Sequence, residues 1–155
     1  MAARARPHQL AAGHPLHCQE PIFAHDAAAA VNQLAAAQWG FVPIVAGNTA
    51  VAELIANFGA SVAALRHPFR YILLPLDEGV ERLRPACATI LPASATAALL
   101  ASPDAQITPT RFAAQESRYG HTVYAAMTQA RWVAASRLLA LPGNTAAIAW
   151  LDPDM

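Results

Sequence analysis

The chain has 155 residues, with 10 basic and 10 acidic side chains, a formal net charge of zero, 55% hydrophobic residues and 13% charged ones. Every basic residue is arginine, which excludes a P-loop lysine, a Schiff base to a carbonyl substrate or pyridoxal phosphate, and a Ser–Lys dyad. The arginines come in ones and twos without a basic stripe, and no run of about 18 apolar residues occurs, so nucleic-acid binding and a membrane-spanning helix are not expected.

Alanine runs such as Ala27 to Ala30 account for much of the apolar content. Alanine favours helix and lets helices approach closely, but each one adds little burial energy. Alanine with arginine and no lysine reads as the usage of a GC-rich genome rather than selection for arginine. The length fits one domain with a real core. No apolar signal-peptide segment follows Arg4 and Arg6, and Cys18 and Cys87 read as a reduced pair, so the expectation is a soluble cytoplasmic protein without a disulfide. Low charge makes a homo-oligomer or a protein partner plausible on colloidal grounds.

In chain order, residues 1–20 read as an irregular arm and residues 21–155 as a single domain. Pro21 to Ala24 is a short extended piece. Asp26 caps a helix over 27–38, which Gly40 stops. Phe41 to Ala46 is a strand, placed at a sheet edge by Pro43. Gly47-Asn48 turns the chain, and Thr49 caps a helix whose Val51, Leu54, Ile55 and Phe58 fall at i, i+3, i+4 and i+7. Gly59 ends it.

Tyr71 to Leu74 is a buried strand closed by Pro75. Asp77 and Glu78 open a short helix that closes before Pro85. Residues 86–91 form a third strand, and Ser94 caps a helix through Leu99 and Leu100. Ser102 to Asp104 is a turn, Thr110 caps a further helical stretch, and 122–140 is the longest helix. Val123, Met127, Ala130, Ala134 and Leu138 mark its inward face, with Arg131 and Arg137 turned to water. A turn at 142–144 leads to a last strand over 146–151.

Strands alternating with helices predict an α/β fold, a small and mostly parallel sheet of about four strands flanked by helices, with α+β as the alternative. In a parallel sheet, ligands belong outside the carboxyl ends of the strands. Four segments would converge there. They supply Asn48 and Thr49, Asp77, Ser94 and Asp152 as candidate ligand or catalytic residues. Gly47-Asn48-Thr49 before a helix would offer N–H groups and a hydroxyl to an anion. Asp77 could act as general acid or base.

His121, at the start of the longest helix, is the histidine best placed to stay neutral and serve as a base. Cys87 could pair with His67 or His121 only if folding joined them. His14, His17 and Cys18 carry zinc-ligand chemistry but match no standard spacing, so neither a metal nor a cofactor is expected. Trp39, Trp132 and Trp150 read as core or interface anchors. The functional expectation is a domain that binds a small anionic or polar molecule, with any catalysis independent of lysine. The alternative is a non-enzymatic adaptor or subunit that works through protein contacts.

Overall fold

Alternating apolar stretches give five strands: β1 (Ile22–Phe23), β2 (Phe41–Gly47), β3 (Tyr71–Pro75), β4 (Ala88–Ile90) and β5 (Ala147–Trp150). In this computed structural model, which describes residues 18–101, 122–144 and 146–153, they form one sheet in the order β1-β4-β3-β2-β5. Every pairing is parallel. The four strands expected are present, and the extended piece at Ile22 supplies the fifth. The arm expected over 1–20 falls largely outside the described residues. Cys18, where they begin, is already buried.

The helices are α1 (Ala27–Ala37), α2 (Ala52–Ala63), α3 (Glu78–Glu81), α4 (Ala93–Leu100) and α5 (Thr122–Leu139). One face of the sheet packs α1, α4 and α5 around Val31, Leu34, Ile44, Ile72, Leu100 and Leu138. The other packs α2 and α3 around Ile55, Phe58, Val62, Leu73, Val80 and Ile90. Connections that run one way along the sheet use the first face, and those that run the other way use the second. This is what a single crossover hand produces. Of the expected inward face of α5, Ala134 and Leu138 are buried; the other three side chains lie outside the described set.

Pro43 does not mark an edge. β2 lies between β3 and β5. Ile44 pairs with Ile72, so extending the register by one sets Pro43 opposite Tyr71. The N–H that proline lacks would have faced the Arg70 carbonyl. Gln38 fills the gap: its Nε2 donates to Arg70 O at 2.9 Å, and its Oε1 accepts from Arg70 N at 2.5 Å. A buried side-chain amide thus stands in for one rung of the ladder.

Gly59 does not end α2, which runs on to Ala63. It is a close-approach residue. A Cβ there would lie 2.9 Å from Ala86 O and 3.0 Å from Tyr71 Oη. Pro75 closes β3 as expected, as its last residue. Gly40 follows α1 as expected, but Trp39 also takes a left-handed backbone, with φ of 56°.

Cys18 and Cys87 are not reduced. They form a disulfide between the segment that leads into β1 and the start of β4, and both are buried. β1 pairs with β4 through only two residues, so this bond is its main covalent tie to the sheet. No helix among the described residues is long and apolar enough to cross a membrane.

Candidate functional site

The carboxyl ends of the strands already hold anions, and both are the protein's own. Thr49 opens a turn of 3-10 helix (Thr49–Val51) before α2, and the N-cap position is Asn48 rather than Thr49. Its N–H donates to Asp77 Oδ2 at 2.7 Å and its hydroxyl donates to Asp77 Oδ1 at 2.7 Å. Asp77 is also the N-cap of α3, accepting from Val80 N at 2.9 Å. Burial alone would raise the Asp77 pKa. The donors from Thr49, Val80 and Gly79 outweigh it and hold the carboxyl below its ordinary value.

The start of α4 is filled in the same way. Glu81, at the end of α3, accepts from Ala93 N at 2.9 Å. Pro92 is the N-cap, and Ser94 sits exposed inside the first turn rather than capping it. The β3 exit leads to α3 on one face, and the β4 exit leads to α4 on the other. This is the crevice where a parallel sheet offers a ligand site, and Asp77 and Glu81 occupy the donors on either side of it.

The structure joins two of the expected site residues, Thr49 and Asp77. Asn48 is buried beside the turn. Asp152 follows β5 and pairs with Arg131 at 2.6 Å, and the Arg131 guanidinium lies over the Trp150 ring, 5.6 Å from its centroid. Arg131 and Arg137 do not simply point to water: Arg137 Nη1 donates to Leu99 O at 2.6 Å and ties α5 to the end of α4. His121, the Ser102 turn, the Thr110 cap and His14 with His17 lie outside the described residues. The disulfide leaves Cys87 no thiol to act as a nucleophile.

Among the described residues two concavities stand out, and neither is lined by Asn48, Thr49, Asp77, Ser94 or Asp152. The smaller, about 20 Å³, lies among Ala46, Leu76, Thr96, Arg131 and Trp150 and has room for little more than a water molecule. The larger is a cleft of about 440 Å³ between α1 and the edge strand β1. That volume falls in the range of small-molecule sites.

The cleft follows from the sequence of α1. Ala29, Ala30, Gln33, Leu34 and Ala37 lie along one stripe of the helix and face the cleft. The alanines leave open the space that larger side chains would fill. The floor is Thr89 of β4. Registers carry one row across all five strands: Ile22, Thr89, Ile72, Ile44 and Trp150. Thr89 is the one polar member. It is 3% exposed, and its hydroxyl has no hydrogen-bond partner among the described residues. A buried polar group of this kind costs stability and asks for an explanation.

Arg70 closes the amino end of the cleft. Its Nη1 donates to Glu20 O at 3.1 Å, so its side chain spans the start of β4. Burial lowers its pKa, and among the described residues no carboxylate lies within ion-pair distance of it. Sequence reasoning missed both residues. The available signal was a lone threonine in an apolar strand; nothing local pointed to Arg70.

Compared with known proteins, the chain matches no protein-family model, and no curated protein or solved structure is significantly similar to it.

Proposed function

We propose that this chain is a small-molecule-binding domain whose ligand seat is the cleft between α1 and β1. The observation that carries this reading is a cleft of ligand size, about 440 Å³, with a mainly apolar lining and, at its floor, a buried hydroxyl without a partner among the described residues. The expectation of a polar or anionic ligand is kept, and its place moves from the strand ends to this groove. Binding without catalysis is the better reading, because Asp77 is committed to Thr49 and Val80 and Ser94 stands on an exposed helix turn. The buried disulfide supports an oxidising compartment over the cytoplasmic expectation.

The test is a panel of apolar fragments, acidic and neutral, followed by thermal shift and NMR. Saturation a hundredfold above Kd adds about 2.7 kcal/mol of stability. The effect should vanish in an Ala29→Leu/Ala37→Leu double variant, which fills the groove from exposed helix positions. Stabilisation that survives in that variant would place the ligand elsewhere.

A second reading, the adaptor, has its own support. Trp39 is 88% exposed and Trp132 73% exposed, more than a solvated surface needs. Trp39 also holds a left-handed backbone that a bulky side chain disfavours. Concentration-dependent association that is lost in Trp132→Ala, with no response to the fragment panel, would favour it.

A further inference from the structure

We infer that the cleft selects a small amphipathic carboxylic acid, its carboxylate held by Arg70 and its apolar body lying along α1. This rests on the cleft being the ligand seat, and goes beyond it by fixing the chemistry of the ligand.

Three observations converge. Arg70 brings a positive charge to the amino end of the cleft and has no carboxylate partner among the described residues. Its guanidinium is held in place through Glu20 O, and its backbone is held through Gln38. A planar guanidinium fixed before the ligand arrives suits a carboxylate, which it can engage through parallel N–H donors. Thr89 lies diagonally next to Arg70 on the same face, because Ile72 is its direct neighbour and Arg70 precedes Ile72 by two. Its unpaired hydroxyl is a second donor for the same group.

Ile22, Ala24, Ala30 and Leu34 form the apolar part of the lining, beside the polar His25, Gln33 and Gln38. Such walls reward a hydrocarbon or aromatic body and give a free inorganic anion nothing to bury. Asp26 stands at the far end and already caps α1 through Ala28 N at 2.8 Å. The ligand's orientation follows, with its charge toward Arg70 and away from Asp26.

The experiment titrates the protein with octanoate and phenylacetate, with their neutral counterparts octanol and phenylacetamide, and with inorganic phosphate. The acids should bind at least tenfold more tightly than the neutral forms, and phosphate should not compete. Arg70→Gln should remove that preference while leaving the neutral compounds' affinity unchanged. Thr89→Val should weaken the acids several-fold without lowering the melting temperature of the free protein, a combination that a merely structural role would not give. Equal affinity for acids and neutral forms, all lost in Ala29→Leu/Ala37→Leu, would overturn the acid preference and leave the cleft reading standing. Failure of every compound to bind, or binding that the double variant leaves unchanged, would overturn the cleft reading itself. Competition by phosphate would overturn the amphipathic class.

Discussion

Gln38 and Arg70 are joined through both halves of one amide: Nε2 donates to Arg70 O at 2.9 Å and Oε1 accepts from Arg70 N at 2.5 Å. The pair repairs the ladder at Pro43 and fixes the backbone that carries the Arg70 guanidinium into the cleft. Fold and candidate site share this contact. Gln38→Leu keeps the bulk but strands the part-buried N–H and C=O of Arg70. It should cost about 2–4 kcal/mol in chemical denaturation.

The Thr49–Asp77 contact makes a pH prediction. The Asp77 carboxyl is held below its ordinary value of 3.8 in the folded state. A depressed carboxyl adds stability that is fully present above the unfolded value and is lost as pH falls through the folded one. Asp77→Ala should therefore cost about 1–2 kcal/mol at pH 7, the usual range for a lost cap. The gap between wild type and variant should narrow as pH drops below 3.8, as followed by urea unfolding at a series of pH values.

Much of this was open to sequence reading and some was not. Asp26, Ala27 to Ala37 and Ile55 with Phe58 announce their elements by cap and period, because those signals act within one helix. The Pro43 expectation failed because its compensation comes from Gln38 in the preceding helix. Thr49 looked like a free anion site because the anion that fills it lies in the loop after the next strand. The cleft draws its lining from α1, β1, the residue before β3 and Thr89 of β4, segments far apart in the chain. No local pattern contains that set.

Gly59 reads locally as a helix stop, and its role is contact. Gly59→Ala raises helix propensity by about 1 kcal/mol. It also drives a Cβ to 2.9 Å from Ala86 O, a backbone atom that cannot swing away. The clash should prevail, giving a net loss of about 1–3 kcal/mol in thermal unfolding. A neutral or stabilising result would mean that α2 can shift away from Ala86.

The Cys18–Cys87 disulfide spans 69 residues of sequence. Closing a loop of that length in the unfolded chain is worth about 4 kcal/mol in the chain-entropy model, within a usual range of about 2–5 kcal/mol. The Cys18→Ser/Cys87→Ser double variant should lose stability of that order. Because β1 has only two ladder pairs, hydrogen exchange should rise first at Ile22 and Phe23.

The most direct measurement of the central claim is the octanoate affinity of wild type, Arg70→Gln and Ala29→Leu/Ala37→Leu, each by calorimetry under one condition. The account predicts saturable binding to wild type, at least a tenfold loss in Arg70→Gln, and no detectable binding in the groove-filling variant. Equal affinity in all three proteins would contradict it.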